Sequence, residues 1–304
     1  MNAMEQLSDS LAAAVQSAAE GVVRVEGRRR MASSGLLWGA GDLVVTAHHT
    51  IERGAEVRVG LPSGETVEAK LLGRDPATDL AALRLAKSAG RALVAAEPEK
   101  LRIGHLALAV GRPGEQPQAT LGIISAVEGG WRTPFGGRLD RFVQSDVVMY
   151  PGFSGGALVD AWGRLVGLNT SGILRGVSLA VPAETIERTA KALAEHGRVR
   201  RGYLGVGVQP ARLAAPHGSS GQAVGLLVAS VEQGSPAEKS GLFLGDVLLS
   251  FDGLPLASMD DLLTALGGEV AGRTVALEVQ RAGKPTRVQV TIGERPAPSE
   301  EEEE

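Results

Sequence analysis

The chain has 304 residues, an apolar fraction of 43% and 41 glycines, which is enough for two domains with separate cores and favours turn-rich β structure over a helical bundle. It contains no cysteine, so disulfides, thiolate metal sites and a cysteine nucleophile are excluded. The net charge of -4 comes from the terminal glutamates Glu300–Glu304, and the body before them is nearly neutral, which gives nucleic-acid binding no support.

In chain order, Leu7, Leu11, Val15 and Ala18 recur at helical spacing after polar Ser8 and Asp9 and predict a short amphipathic helix in an N-terminal segment, residues 1–20. The segment lacks the basic start and continuous apolar stretch of a signal peptide. No later run reaches the roughly 20 apolar residues needed to span a bilayer. As written, the chain reads as cytoplasmic with no membrane span, and as periplasmic or extracytoplasmic if a leader has been removed. Residues 21–197 change to short strands, such as Val22 to Val25, Leu43 to Thr46, Val57 to Val59, Ala81 to Leu85 and Leu106 to Val110, separated by glycine-rich turns. That repetition predicts a barrel or sandwich. Pro182 opens a helix with Ile186, Ala190, Leu193 and Ala194 on one face, and Gly197 ends it.

Residues 198–294 have a complete set of elements of their own. Leu226 to Val231 reads as a strand, Ser235-Pro236-Ala237 opens a short helix that Gly241 ends, and the strand Val247 to Phe251 closes on Asp252-Gly253. Ser258 and Asp261 form a capping-box pattern for a helix carrying Leu262, Leu263 and Leu266. Strands Thr274 to Gln280 and Arg287 to Ile292, joined across Gly283-Lys284, complete a small α+β module. The acidic tail, residues 295–304, is expected to be disordered.

Gly152-Phe153-Ser154-Gly155-Gly156 sets a serine among glycines, where the backbone can approach a reacting carbonyl and aim amide hydrogens at it. A simple Gly/Ser turn would show the same pattern, so the loop needs partners. A serine hydroxyl requires a base, and histidine is the usual one because its ordinary pKa lies near neutrality. Of five histidines, His48 and His49 end the apolar strand Val44-Val45-Thr46-Ala47, whose terminus can present a side chain to a cleft. The third group must be a carboxylate that orients the imidazole. Asp75 and Asp79 both precede the strand Leu80 to Leu85. Asp79 abuts it, whereas Asp75, before Pro76, reads as a turn residue, and capping is the bland alternative for both.

Together, Thr46-Ala47-His48-His49, Asp75-Pro76-Ala77-Thr78-Asp79-Leu80-Ala81 and Gly152-Phe153-Ser154-Gly155-Gly156-Ala157-Leu158 resemble the HtrA/Deg (DegP-like) branch of the chymotrypsin-fold serine proteases. Arg201-Gly202-Tyr203-Leu204-Gly205-Val206 resembles the start of that family's C-terminal PDZ domain. The resemblance implies a mostly β fold, with two six-stranded β-barrels of trypsin-like type followed by a small α+β PDZ domain. It also implies His49, Asp79 and Ser154 as catalytic residues, with the amides of Gly152 and Ser154 forming the oxyanion hole. Val148, six before the nucleophile, is expected at the floor of the primary pocket, and Leu168, Asn169, Thr170 and Ser171 along its wall. Cleavage after small or medium aliphatic residues follows from that assignment. In the PDZ domain, Tyr203, Leu204, Gly205 and Val206 would cradle a peptide's C-terminal carboxylate, with Leu262 and Leu266 on the groove's hydrophobic side.

The resemblance implies an ATP-independent quality-control endopeptidase acting on unfolded proteins or peptides. With no nucleotide loop and no metal-ligand pattern, no cofactor and no metal are expected. The family's usual homotrimer is assembled through N-terminal aromatic residues, and the segment before Gly21 contains none. Phe153 stands where the family usually has Asn or Asp. The rival reading is therefore a catalytically weak or inactive peptide-binding, chaperone-like protein.

Overall fold

The computed structural model describes residues 2–294 apart from 30, 53, 55, 218–221, 268 and 269, so the expected disordered tail lies outside the described residues. The chain divides into two units, Met1–Val199 and Arg200–Glu304.

The first unit begins with α1 (Ala3–Ala19). It starts well before Ser8 because Asn2 and Glu5 form a capping box: the Asn2 side chain accepts from the Glu5 N–H and the Glu5 carboxylate from the Asn2 N–H, each at 2.9 Å. The buried stripe is made of Ala14, Ala18 and Ala19, with Leu11 and Val15 alongside, while Leu7 is exposed. Small residues let the helix lie close to the body. A Cβ at Gly163 would stand 2.9 Å from the Ala14 carbonyl oxygen.

Six strands then close a barrel: β1 (Val22–Glu26), β2 (Ser33–Trp38), β3 (Leu43–Ala47), β4 (Val57–Gly60), β5 (Thr66–Asp75) and β6 (Leu80–Leu85), in the order β1-β2-β3-β6-β5-β4. Side chains alternate between two apolar environments. Val23, Val25, Val44, Leu83 and Leu85 fill the barrel, whereas Val22, Val45, Leu80 and Ala82 face outward into a second core. That core is shared with a second barrel: β7 (Leu106–Gly111), β8 (Gln118–Glu128), the small hairpin β9 (Trp131–Arg132) and β10 (Arg138–Leu139) outside it, then β11 (Phe142–Ser145), β12 (Ala157–Asp160), β13 (Leu165–Thr170) and β14 (Ser178–Pro182). Its order is β11-β14-β13-β12-β7-β8. Ala107, Ala109, Ile124, Leu158 and Ala180 fill it, while Leu108, Val110, Leu168 and Val181 meet the first barrel's outward face. Full burial of each such Val or Leu contributes about 1.5–3 kcal/mol. Helix α2 (Ala183–His196) seals the shared core with Ile186, Ala190 and Leu193 and ends at Gly197, whose φ of 73° fits a left-handed cap.

The second unit pairs β15 (Gly202–Tyr203) with β22 (Gly293–Glu294) and builds a sheet from β16 (Val206–His217), β17 (Gln222–Val231), β18 (Val247–Phe251), β20 (Thr274–Arg281) and β21 (Lys284–Thr291) in the order β16-β17-β18-β20-β21. β19 (Leu254–Pro255) joins β18. Helices α3 (Pro236–Lys239) and α4 (Met259–Ala265) complete it, and α4 carries the Ser258/Asp261 capping box expected of it. The last hairpin turns one residue earlier than expected. Arg281 pairs with Lys284, and Ala282 and Gly283 take the turn with φ of 47° and 79°, the double positive φ of a two-residue hairpin loop.

Candidate active site

β3 ends at Ala47 and the chain turns through a short 3₁₀ segment, His48–Thr50, tied back by Thr50 Oγ1 donating to the Ala47 carbonyl at 2.7 Å. Facing it is the β5–β6 turn, in which Thr78 Oγ1 donates to Asp75 Oδ2 at 2.7 Å. Asp75 is thus a buried turn residue. Asp79 adopts φ 55°, a conformation that strains a non-glycine residue and persists only when its surroundings hold it. They do. Its carbonyl accepts from His48 N at 3.0 Å, Oδ1 from His49 N at 2.9 Å, and Oδ2 pairs with His49 Nδ1 at 2.8 Å and accepts from Thr170 Oγ1. An ionised carboxylate only accepts, so Nδ1 donates and Nε2 keeps the basic lone pair. The Asp79 side chain is 5% exposed and the imidazole 31%, a carboxylate shielded from water beside an imidazole that solvent can reach.

The glycine-rich loop is shaped by a turn from Tyr150 to Phe153, closed by Phe153 N donating to Tyr150 O at 3.0 Å. Pro151 fixes negative φ at the second position and Gly152 has φ 88° at the third, which is a type II turn. Ser34 of β2 fastens the loop: its N–H donates to Ser154 O at 3.1 Å and its hydroxyl to Gly152 O at 2.7 Å. Gly155 donates to Asn169 O at 2.8 Å, and a Cβ there would lie 2.0 Å from Ser34 O, so only glycine fits. The Gly152 and Ser154 N–H groups donate to no acceptor among the described residues. Phe153 does not unsettle the loop by lacking a hydrogen-bonding side chain. Its ring is fully buried in the second barrel's interior and meets Tyr150 edge to face at 5.8 Å, an apolar anchor directly before Ser154. The Ser154 hydroxyl pairs with Ser171 Oγ at 3.1 Å.

Of the expected pocket residues, Val148 is 55% exposed, next to Val147, which packs in the second barrel's core. Leu168 lies in the shared core, Asn169 donates to Ala157 O at 2.7 Å, and Thr170 holds Asp79, so these three side chains are buried. Ser171, next along the chain, is the one of this group whose side chain meets Ser154 among the described residues. Sequence reasoning missed Thr170's actual partner and missed Gly172. A Cβ at Gly172 would lie 2.5 Å from His49 Nδ1 and 2.7 Å from Asp79 Oδ2, so the chain crosses the His–Asp pair where only glycine can. The polar run Asn169-Thr170-Ser171-Gly172 closing an apolar strand was the available signal.

His48 sits beside the pair with a buried Nδ1 that has no hydrogen-bond partner among the described residues. Burial holds its pKa below the ordinary histidine value, aided by Arg74 and His49 and opposed by Asp79. No group of three or more possible metal ligands gathers among the described residues, and no helix among them is long and apolar enough to cross a membrane.

In the second unit, β16 is an edge strand with α4 packed against it. Leu204 is buried in the core, and the Leu204 and Gly205 N–H groups donate to no acceptor among the described residues. Gly205 has φ 79°, Val206 starts β16, and Tyr203 hydroxyl donates to Glu232 Oε2. Leu262 and Leu266, one turn apart, are 3% and 9% exposed and pack into the core, so they support α4 from behind; Leu263 is half-buried and Met259 exposed.

Profile comparison matches residues 33–168 to the Trypsin-like peptidase domain and residues 202–292 to the PDZ domain. The probable periplasmic serine endoprotease DegP-like of Chlamydia muridarum is 34% identical over 282 residues, covering 90% of this chain and 56% of that protein. The like-named protein of Pseudomonas putida is 37% identical over 271 residues, covering 86% and 56%. The chain therefore spans little more than half the length of these curated relatives. Among solved structures, the HtrA-type protease AlgW with tripeptide is 31% identical with a TM-score of 0.77, covering 95% of this chain and 98% of that one. The serine endoprotease from Yersinia pestis is 29% identical with a TM-score of 0.78, covering 94% and 98%. With paired barrels, a PDZ domain and this degree of identity over nearly a whole solved relative, the chain belongs to the HtrA (DegP-like) serine protease family.

Proposed function

We propose that the chain is a serine endopeptidase in which Ser154 is the nucleophile, His49 the general base and Asp79 the carboxylate that orients it. The observation that carries this reading is the His49–Asp79 pair, held by Thr170 and packed on by Gly172, with Ser171 between those two residues meeting the Ser154 hydroxyl at 3.1 Å in a glycine-shaped loop with two unspent N–H groups. Ser154 leaves Ser171 and passes its proton to His49 Nε2 as Oγ bonds to the scissile carbonyl carbon. The carbonyl oxygen becomes an oxyanion that the Gly152 and Ser154 N–H groups receive, an arrangement worth about 10²–10³ in rate per donor. His49 then returns the proton to the departing amine as the peptide C–N bond breaks. Water, deprotonated by the same imidazole, releases the acyl group. Asp79 holds the imidazole in register throughout and stabilises its cation.

Substrates are unfolded or damaged polypeptides, cut without ATP, and the second unit takes peptide termini by adding them to the edge of β16. Solved relatives whose names record a bound tripeptide or decapeptide support peptide binding, and the periplasmic designation of the curated relatives supports work outside the cytoplasm. Casein digestion in nucleotide-free buffer tests the reading. The wild type degrades casein and Ser154→Ala does not; equal digestion by both would end the assignment.

A further inference from the structure

We propose that Arg112 is a positioning residue that couples the docking of helix α1 to the Gly152–Ser154 loop, which makes the N-terminal helix an internal activator of hydrolysis. As regards hydrolysis, the inference rests on the reading of Ser154 as the nucleophile.

Arg112 follows β7 and is 5% exposed, yet no carboxylate among the described residues pairs with it. Its guanidinium instead donates to three carbonyls: Nε to Val22 at 2.7 Å, Nη1 to Glu115 at 2.8 Å and Nη2 to Ala19 at 2.8 Å. Burial pushes its pKa below the ordinary arginine value, though a guanidinium stays charged in proteins. A buried cation without a counter-ion depends entirely on such dipoles. Ala19 is the last residue of α1, where helix carbonyls lack intrahelical partners and the dipole's negative end lies. Val22 opens β1. The guanidinium therefore clamps the seam between α1 and the first barrel.

The backbone of the same residue reaches toward the chemistry. Arg112 N donates to Ser34 Oγ at 2.8 Å, and that hydroxyl donates onward to Gly152 O at 2.7 Å. Ser34 N holds Ser154 O as well. The two carbonyls of the residues whose N–H groups would receive the oxyanion are thus set by Ser34, and the Ser34 hydroxyl is set by Arg112. Packing ties the same segment to the loop, since a Cβ at Gly111 would lie 2.9 Å from Phe153 Cδ1 and 3.1 Å from Ser34 Oγ. If α1 lifts away, Nη2 loses Ala19 O, and the buried cation draws the 112 segment toward water. The amide that fixes Ser34 moves with it.

Hydrogen exchange of the full chain, read by mass spectrometry, tests the coupling without relying on activity. In Arg112→Met, exchange should rise at least tenfold in peptides spanning 14–22 and 152–156, while peptides of the second unit stay unchanged. Arg112→Lys, which keeps a cation with fewer directed donors, should give an intermediate effect if Arg112→Met does not fold. In peptide hydrolysis, kcat of Arg112→Met should fall about 100-fold, the scale of one oxyanion donor, with KM within threefold of wild type and the acid limb of the pH profile unmoved. Ser34→Ala should lower kcat about tenfold, and adding it to Arg112→Met should cost little more, because both act on one chain of contacts. Faster exchange confined to α1, or kcat losses that multiply, would overturn the proposal. A wild type that fails to react with a fluorophosphonate would sink the nucleophile assignment instead, and the exchange pattern would still decide whether α1 and the loop are coupled.

Discussion

Replacing Gly172 with alanine is the most local perturbation of the His49–Asp79 pair. The new methyl carbon would lie 2.5 Å from His49 Nδ1 and 2.7 Å from Asp79 Oδ2, whereas ordinary contact begins near 3.4 Å. Something must move by about 0.9 Å. The peptide at 172 is held by its own N–H donating to Thr170 Oγ1 at 2.9 Å, and Asp79 by its several donors, so the freest group is the partly exposed imidazole. Displacement of a catalytic group by about 1 Å costs on the order of 10²-fold in rate, and full loss of carboxylate guidance about 10⁴-fold. Gly172→Ala should therefore lower kcat by about 10²–10⁴, or roughly 3–5 kcal/mol of barrier. Its overpacking should cost about 1–3 kcal/mol of stability, leaving the protein folded. Hydrolysis of a chromogenic peptide, alongside thermal unfolding of the same preparation, measures both. Activity within threefold of wild type would refute the claim that the chain just after β13 presses on a functioning pair.

Three further outcomes are expected. Thr170→Val keeps the shape but removes the hydroxyl that donates to Asp79 and accepts from Gly172 N, so kcat should fall about tenfold with KM unchanged, and an unaltered kcat would show the bond to be idle. His48, with its folded pKa below the unfolded one, is buried neutral; the unfolded chain binds its proton first, so stability present above the ordinary histidine value is lost as pH falls toward the folded value. His48→Asn should flatten that decline in a pH series of denaturant midpoints, and an identical slope would exclude the residue as its source. In the second unit, burial alone would raise the Asp246 carboxyl, but bonds from Arg281 and the Phe243 N–H outweigh it and hold the pKa low. Its stabilisation is present above the ordinary aspartate range and lost as pH falls through the depressed value, so Asp246→Ala should destabilise this unit by about 2–3 kcal/mol near neutrality and by little in strong acid.

The sequence spoke most clearly where local rules decide the outcome. An apolar strand ending at Ala47 placed His49 at a barrel rim, an aspartate abutting the next strand met it, and Pro182 with Gly197 bounded α2. Ser258 and Asp261 likewise announced α4. What stayed hidden was set by contacts distant in the chain. Thr170 reaches Asp79 across 91 residues, and nothing near position 112 announces that its side chain will meet Ala19 and Val22. β13 carries no readable alternation because a strand between two barrels is buried on both faces. Val148 was expected at a pocket floor from its family position alone, and its side chain is largely exposed. Phe153, a departure from the family's usual polar residue, found an apolar site in the second barrel that only the folded structure reveals.

Mapping the adduct of a fluorophosphonate on the purified chain by peptide mass spectrometry tests the central claim most directly. The account predicts one modified peptide carrying the label on Ser154, with labelling abolished by Ser154→Ala and strongly slowed by His49→Ala. A label on another serine, or undiminished labelling without the His49 imidazole, would contradict it.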